Sequence, residues 1–326
     1  MKFIVTGGAG FIGHNVVRQL EALGHECFVI DSATDYGFVP TDEMRYLQQA
    51  RKARMKAGVH HLDLCDHKQI ETFFNNFGVL VDGVIHLASF PRQKVVSQNP
   101  ILGSEVMSTA LVNLLEQTRI HKIPKFVYIS SSMVYGDFDN GVKEDAVCTP
   151  QGQYGIMKYM GEQLVKDYTR RNCFDHVIIR PSAVYGEFDV EDRVVSKFVL
   201  AALRGQELKI NGANETLDFT YVEDAALGIV QASLSTAAVN KTYNITKSHS
   251  KTLLEAASLV IKLANKGSVV VQDRDMNFPS RGALNTEAAR NDFGFDPQVD
   301  IEEGFKRYIK WFKESPYWAQ QINNQS

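Results

Sequence analysis

The sequence of 326 residues has little of what marks disulfide-framed, membrane-spanning or strongly charged proteins. Its four cysteines form no CxxC pair, so we predict neither a metal site nor a disulfide framework and expect a reducing, cytoplasmic compartment. No stretch approaches about 18 uninterrupted apolar residues, so no membrane span is predicted, and the opening MKFIVTGG lacks the apolar core of a signal peptide. With 35 lysines and arginines against 38 acidic residues, no overall field recruits nucleic acid or an anionic membrane.

Two alternating patterns fill the chain instead. Hydrophobic residues make up 44% of it, enough to bury a sizeable core in about two ordinary domains or one large α/β unit. In the first half, short β-branched runs such as KFIVTG alternate with amphipathic stretches, which predicts six or so strand–helix repeats and a doubly wound parallel sheet. After Gly186 the pattern is less regular, which indicates a smaller domain over the C-terminal edge of the sheet. The later helices are predicted at 102–118, 154–171, 194–204, 223–234 and 252–265.

A glycine-rich turn follows the first predicted strand. Gly7, Gly10 and Gly13 stand at intervals of three before a helix, a spacing that lets backbone N–H groups approach a pyrophosphate, although a simple tight turn has the same pattern. Asp31 ends the second predicted strand, where a carboxylate can accept from adenosine ribose hydroxyls. This carboxylate would repel a 2′-phosphate, and the next two residues carry no compensating charge. The sequence therefore favours NAD over NADP.

Tyr154 and Lys158 stand at i and i+4 of a predicted helix and share one of its faces. A lysine ammonium near a phenol stabilises phenolate and lowers the tyrosine pKa, which would make the tyrosine a usable base. Alone, the pair could equally be an exposed surface pair. It follows a serine-rich strand end, residues 130–132, at a spacing that brings a hydroxyl beside the tyrosine, and the combination is far more specific than its parts.

Eight motifs stand in order along the chain: TGGAGFIG, Asp31, DLCD from Asp63, HLAS from His86, YISSSMVYG from Tyr128, YGIMK from Tyr154, RPSAVYG from Arg180 and LDFTYVEDAA from Leu217. With them the sequence resembles the extended short-chain dehydrogenases/reductases, specifically the NAD-dependent epimerase/dehydratase family. Within that family it looks most like the nucleotide-sugar 4-epimerases that act on UDP-glucose or UDP-glucuronate.

The resemblance implies an α/β, Rossmann-like NAD-binding domain over residues 1–180, with returning segments near 217–246. It further implies a smaller C-terminal α/β domain for the nucleotide sugar, built from 181–216 and 247–318. Residues 319–326 are expected to form a tail.

The resemblance also implies the site residues. Ser131, Tyr154 and Lys158 would form the catalytic trio, and Ser131, Ser132, Tyr154 and Arg281 would contact the substrate. The residues expected to bind NAD are Gly7, Gly10, Phe11, Ile12, Gly13, Asp31, Asp63, Leu64, Leu87, Ala88, Ser89, Tyr154 and Lys158.

The implied chemistry is oxidation of a sugar hydroxyl, most often at the 4-position, followed by return of the hydride to the other face. Dehydratases of the family carry an Asp-Glu pair after the catalytic serine, where this chain has Ser132 and Met133, so a 4,6-dehydratase is disfavoured. Ser132 could hydrogen-bond the carboxylate of a UDP-uronic acid or be an ordinary loop serine. Two alternatives remain: a dehydrogenase or reductase that releases its product, and a non-catalytic NAD-sensing module.

Three positions depart from the family pattern and leave the diphosphate contacts in question. Ala183 replaces an asparagine, Leu217 an arginine, and Met107 an asparagine. Losing an arginine at a phosphate removes a strong, oriented interaction, so another cation must substitute if the ligand is a nucleotide-diphosphate sugar. Arg281 in FPSRGALNTEAA is the best candidate, and Arg92 and Arg193 are weaker candidates because each is interpreted more readily as an ordinary surface arginine.

For two helical segments, the sequence leaves open which face is exposed and which is buried. The basic stretch from Arg45 to Lys56 is interpreted as a solvated helix face rather than a phosphate patch. In the helix at 102–118, Val106, Ala110 and Leu114 form an apolar row that is either buried against the sheet or, with the helix at 154–171, part of a four-helix dimer interface. We expect a homodimer.

Overall fold

The structure is a computed structural model that describes residues 1–78, 81–90 and 92–323. Its strands are β1 (Lys2–Thr6), β2 (Glu26–Ile30), β3 (Val59–His60), β4 (Gly83–His86), β5 (Lys125–Ile129), β6 (Asp175–Pro181), β7 (Val184–Tyr185), β8 (Glu207–Asn211), β9 (Thr216–Asp218), β10 (Thr220–Tyr221), β11 (Lys241–Ile245), β12 (Ser250–Thr252) and β13 (Ser268–Gln272). Its helices are α1 (Gly13–Ala22), α2 (Thr41–Lys52), α3 (His67–Phe77), α4 (Gln93–Gln98), α5 (Pro100–Ile120), α6 (Gly152–Arg170), α7 (Val194–Leu203), α8 (Val222–Leu234), α9 (Leu253–Ala264), α10 (Glu287–Phe293), α11 (Ile301–Glu314) and α12 (Pro316–Asn323).

A seven-stranded parallel sheet in the order β11-β6-β5-β4-β1-β2-β3 forms the centre of the molecule. Its inner strands are buried almost throughout, because helices cover both faces and leave no polar side for an alternating pattern. α1 and α8 pack on one face around Val16, Leu20 and Ile229, and α3, α5 and α6 pack on the other. The predicted doubly wound α/β fold is confirmed.

The strand order reverses direction between β1 and β4, which are neighbours in the sheet although two strands separate them in sequence. In open α/β sheets, ligands bind beyond the carboxyl ends of the strands at such a switch point. β1 ends at Thr6 and β4 at His86, so the glycine-rich turn and the HLAS segment meet at this edge.

A second layer lies beyond that edge. A separate hydrophobic cluster joins α7, α9 and α11 around Phe198, Val260 and Phe305. Three two-stranded pairings belong to the later half of the chain: β10 with β7, β12 with β9, and β13 with β8. β11 instead returns to the main sheet and pairs with β6. The division into domains at residues 180, 217 and 246 stays a prediction.

The five later helices predicted from the sequence are confirmed, each within two residues at either end. The strand predicted in VHHLDL is shorter than expected and covers only Val59–His60. Residues 319–323 of the predicted tail continue α12, anchored by the fully buried Trp318, and residues 324–326 lie outside the described residues. Within the described ranges, no helix has the length and apolarity needed to cross a membrane.

The basic stretch differs from its interpretation as a solvated face. Arg45, Lys52 and Lys56 are exposed, as expected. Arg51 is instead buried, and its guanidinium donates to the carbonyl oxygen of Phe188 at 2.6 Å. A sequence pattern does not reveal this, because the Phe188 carbonyl comes from a loop 137 residues away.

Candidate active site

A cleft of about 720 Å³ opens at the carboxyl edge of the sheet, between it and the second layer. All the residues predicted to bind the cofactor line it, as do Ser131, Ser132 and Arg281. The structure therefore brings the predicted site residues together in one place. Their individual roles stay predictions.

The glycine-rich turn fits a dinucleotide for steric reasons. A Cβ at Gly13 would lie 2.0 Å from the carbonyl oxygen of Gly7, and a Cβ at Gly7 would lie 2.6 Å from the backbone nitrogen of Ala88. Gly7 also has a positive φ of 67°, which favours glycine. The start of α1 can pack this closely on β1 only without side chains, and the same closeness leaves its backbone N–H groups open to a pyrophosphate.

Asp31 occupies the position expected for ribose recognition. Its carboxylate accepts from the backbone N–H of Ala9 at 3.1 Å and of Ala33 at 2.9 Å. These bonds fix the carboxylate at the end of β2 while leaving lone pairs for ribose hydroxyls. Burial lowers the pKa of the Arg51 guanidinium, and the Asp31 carboxylate is close enough to oppose that effect. That guanidinium nevertheless donates to the backbone carbonyl of Phe188 and not to Asp31. The local chemistry fits NAD.

The proposed trio meets where β5 ends and α6 begins. The Ser131 hydroxyl caps the short turn Ser132–Tyr135 by accepting from the N–H of Met133 at 3.2 Å, and it lies close enough to the Tyr154 phenol to lower the pKa of that group. Lys158, one turn along α6 from Tyr154, donates from Nζ to the carbonyl oxygen of Ile129 at 2.8 Å. Its Nζ lies 5.9 Å from the centroid of the Tyr154 ring.

The electrostatics of this pair differ from expectation. Burial raises the pKa of the Tyr154 phenol, and the groups that lower it are the Arg193 charge and the Ser131 hydrogen bond. Burial also lowers the pKa of Lys158 to about 7, which the Glu162 carboxylate partly opposes. Lys158 is not among the groups that lower the Tyr154 pKa here, and its ammonium donates to a backbone carbonyl. Arg193 has that effect instead.

A buried ion pair between Glu162 and Arg180, which sequence reasoning missed, lies next to the trio. Glu162 lies one turn beyond Lys158 on the same face of α6 and accepts from Arg180 of β6 in a bidentate pair, at 2.9 and 2.7 Å. Ser130, next to Ser131, donates to the same carboxylate at 2.6 Å. The signal was present in the sequence as a third residue at i+4 after Tyr154 and Lys158.

The far end of the cleft is more apolar than the family pattern leads one to expect. Ala183 and Leu217 both line it, as the departures in the sequence imply. Met107 does not line it and packs on Phe90 and Val96 instead. Arg281 is present as predicted, with Nη1 3.7 Å from the sulfur of Met133, and burial lowers its pKa to about 10.

Arg92 and Arg193, interpreted as surface arginines, both line the cleft. Arg92 donates to the backbone carbonyl and the carboxylate of Asp192, and Arg193 pairs with Asp189 at 3.3 Å. Their interpretation as ordinary surface residues was wrong. For Arg92 it failed because its partner Asp192 is 100 residues away and is brought close only by the fold, whereas the Arg193 partner Asp189 stands four residues earlier in the chain.

A Rossmann-type sheet with a glycine-rich dinucleotide cradle, an acidic residue ending β2 and a Ser-Tyr-Lys cluster defines the class of short-chain dehydrogenases/reductases. The model of the NAD dependent epimerase/dehydratase family matches residues 3–246. The chain belongs to this family, as its motifs led us to expect.

Individual relatives show how broad that family is. A Methanocaldococcus jannaschii protein named "Putative UDP-glucose 4-epimerase" is 29% identical over 319 residues, covering 96% of this chain and 98% of its own. The dTDP-glucose 4,6-dehydratase of Neisseria meningitidis serogroup B is 26% identical and covers 100% and 97%. The UDP-glucose 4-epimerase of Thermus thermophilus, solved in complex with NAD, is 25% identical with a TM-score of 0.84 and covers 97% and 100%. The cofactor is NAD, and epimerases and dehydratases are both similar to this chain.

Proposed function

We propose that the protein is an NAD-dependent 4-epimerase of a nucleotide-activated sugar, a UDP-sugar or UDP-uronic acid. One observation carries the proposal: Ser131, Tyr154 and Lys158 converge in the cleft, while the two positions after Ser131 hold groups that cannot transfer protons. Ser132 donates to the Ser182 hydroxyl at 3.1 Å, and Met133 presents its thioether to Arg281. Dehydration needs an acid and a base at this point, whereas epimerisation does not.

Each member of the trio has a distinct task. The Tyr154 phenolate takes the proton from the 4-hydroxyl, and Ser131 hydrogen-bonds the reacting oxygen. Lys158 would hold the nicotinamide ribose. NAD, when bound, accepts the hydride from the sugar and returns it. Because Arg193 and Ser131 lower the Tyr154 pKa that burial raises, they would help the phenol to ionise.

The remaining cleft residues would hold the substrate. Arg281 would bind the diphosphate in place of the missing arginine at position 217, and Ser132 would contact the sugar near its 6-position. We propose that residues 181–216 and 247–318 form the sugar-binding cap and that residues 1–180, with 217–246, bind the cofactor. A cap of this kind would let the keto sugar turn without leaving the cleft.

The test is turnover of UDP-glucose and UDP-glucuronic acid by the purified protein. An epimerase carries bound NAD, converts one of these sugars to its 4-epimer and shows no net change in nicotinamide absorbance. Steady formation of NADH would identify a dehydrogenase instead. Loss of water from the product would identify a dehydratase.

The role of Tyr154 is tested by Tyr154→Phe, for which we expect turnover to fall at least about 10²-fold, since a positioned base contributes about 10²–10⁴-fold. Bound NAD should be retained, because the glycine turn and Asp31 are unchanged. Tyr159→Phe, on the same helix and outside the cleft, is the control and should turn over normally. Near-normal turnover by Tyr154→Phe would remove this residue from its assigned role.

A further inference from the structure

The first turn of α6, which carries Tyr154, lacks a cap from its own chain segment. The N-cap residue Gln151 makes no side-chain hydrogen bond to the helix, and its amide nitrogen donates instead to Asp137 at 2.7 Å. The first N–H groups of a helix have no partner within the helix and must find one elsewhere. Tyr154 is the third residue of α6, so its own N–H is one of these groups.

Gln93 supplies the missing partner from α4. Its side-chain oxygen Oε1 accepts from the N–H of Tyr154 at 3.2 Å across 61 residues of sequence. Gln93 is only 7% exposed and lines the cleft. A glutamine of one helix thus caps the N-terminus of another, at the residue whose phenol is the proposed base.

The orientation of the Gln93 amide is fixed at both ends. The Ser97 hydroxyl donates to the backbone carbonyl of Gln93 at 3.0 Å, which leaves its oxygen to accept from Nε2 of Gln93 at 3.4 Å. With Nε2 donating to Ser97, Oε1 is the amide atom that accepts from the Tyr154 N–H. Gly152 has no Cβ, which would otherwise lie 1.9 Å from Nε2. The amide therefore occupies a space that only a glycine at this position provides.

We infer that Gln93 is a positioning residue for Tyr154, an inference that rests on the proposed role of Tyr154 as base. The phenol must stay within hydrogen-bond reach of both Ser131 and the sugar hydroxyl, and displacement of a reacting group by about 1 Å can reduce the rate by about 10²-fold. By capping the Tyr154 N–H, Gln93 fixes the start of α6 against α4 and sets where the phenol lies. The preceding residue, Arg92, binds Asp192, so this link also connects the segment over the cleft to the base.

The test compares variants at Gln93 with a matched variant at Gln153. Gln93→Leu removes the cap with nearly the same volume, and Gln93→Glu keeps an oxygen that can accept from Tyr154. Gln153 also ties the first turn of α6 to a neighbouring helix, donating to Pro100 and Ser104 of α5, but it does not cap the Tyr154 N–H and does not line the cleft. Gln153→Ala therefore measures the effect of loosening this turn in general.

On UDP-glucose or UDP-glucuronic acid, whichever the wild type converts, we expect Gln93→Leu to lower kcat by about 10- to 10²-fold with KM little changed. Gln93→Glu should recover most of the kcat, and Gln153→Ala should match the wild type. Ser97→Ala, at an exposed site, should give a smaller loss because it frees the amide without removing it. Wild-type kcat in Gln93→Leu, or equal losses in Gln93→Leu and Gln153→Ala, would overturn the inference.

A second measurement needs no substrate. Because it can also be made in Ser97→Ala, it tests the inference even if Gln93→Leu folds poorly. The ultraviolet difference titration of wild type minus Tyr154→Phe reports ionisation of this one phenol in the NAD-loaded protein. If Gln93 holds the phenol on Ser131, the titration should move to higher pH in Gln93→Leu and in Ser97→Ala, but not in Gln153→Ala. An unshifted titration in both would overturn the inference. If Tyr154→Phe turns over normally, the proposed base is wrong whatever the Gln93 variants do.

Discussion

Cations in the cleft differ in whether they are already neutralised. Arg92 and Arg193 each have a carboxylate partner, Asp192 and Asp189. Among the described residues Arg281 forms no salt bridge, and its buried Nε has no hydrogen-bond partner. Burial lowers the pKa of Arg281, and the Glu215 carboxylate partly opposes this without forming a salt bridge to it. A buried guanidinium without a paired counter-charge is costly unless a ligand supplies the charge. Among the described cations that line the cleft, Arg51 and Lys158 also lack an ion pair, but both donate to backbone carbonyls, so Arg281 is the one best placed to bind an anionic substrate.

We therefore expect Arg281→Met to weaken substrate binding more than catalysis. Loss of hydrogen bonds to a charged group, at about 1.5–3 kcal/mol, corresponds to a rise in KM of about 10- to 10²-fold with kcat reduced much less. Arg274→Met is the control, since Arg274 lies in the same segment but pairs with Glu215 at 3.0 Å and does not line the cleft. Steady-state kinetics on the UDP-sugar give KM and kcat for both variants. An unchanged KM in Arg281→Met would leave the diphosphate to another group.

At the scale of residues, the sequence predicts which side chains meet but not their electrostatics. The trio and the cofactor residues lie together, as the order of the motifs led us to expect. The state of Tyr154 depends on Arg193 and that of Lys158 on Ile129 and Glu162, none of which is visible from a pair at i and i+4. Such effects come from atoms brought close by the fold.

Among the elements, the turn from β1 into α1 has the least room for change. A Cβ at Gly13 would meet the Gly7 backbone at 2.0 Å, and backbone atoms cannot move aside as a flexible side chain can. Gly13→Ala should therefore abolish NAD retention and lower the thermal midpoint. Gly58→Ala, where nothing lies within 4 Å of the added Cβ, should change neither. Retention of NAD by Gly13→Ala would show that the turn does not hold the pyrophosphate.

The attachment of α6 to the sheet depends on the Glu162–Arg180 pair. Both side chains are nearly inaccessible, at 0% and 3% exposure, so Glu162→Gln leaves Arg180 buried without its counter-charge. Breaking a buried pair from one side costs about 3–5 kcal/mol, whereas exposed pairs contribute about 0–1 kcal/mol. Asp167→Asn removes the exposed ion pairs of Asp167 with Arg170 and Arg171 from the same helix and is the control. Urea unfolding should show a large loss for Glu162→Gln and little for Asp167→Asn; equal losses would contradict this reading of the pair.

The elements that the sequence predicts best are those with strong periodicity. Helices α5 to α9 and the strands β1, β2 and β4 to β6 follow from long amphipathic stretches and continuous apolar runs. β3 is an edge strand and covers only two residues, whereas β11 at the other edge of the sheet covers five. The segment 186–193 has no periodicity, and its position is set by distant partners such as Arg51 and Arg92.

For the whole molecule, the sequence correctly predicts a sheet platform with a less regular second layer, but not which surfaces of that platform are covered. Ala110, Leu111, Leu114 and Leu115 of α5 are buried against the sheet, so the row from which a dimer was inferred belongs to the core. The outward face of the same helices nevertheless carries exposed apolar side chains, at Ile101, Val112 and Ile156. This face, rather than the predicted row, is where a second copy would pack.

We expect the protein to form a homodimer through the outward faces of α5 and α6, since closed two-fold dimers are the commonest oligomers and bury one patch on both subunits. Val112→Glu places a charge on this face and should shift sedimentation from twice 36.6 kDa toward 36.6 kDa. Leu254→Glu is a matched control on α9, because Val112 and Leu254 are equally exposed at 39%. Tyr154 and Lys158 line the cleft on the inner side of α6, so the Val112→Glu monomer should retain its NAD. A wild-type monomer, or an intact dimer in Val112→Glu, would place the contact elsewhere or exclude it.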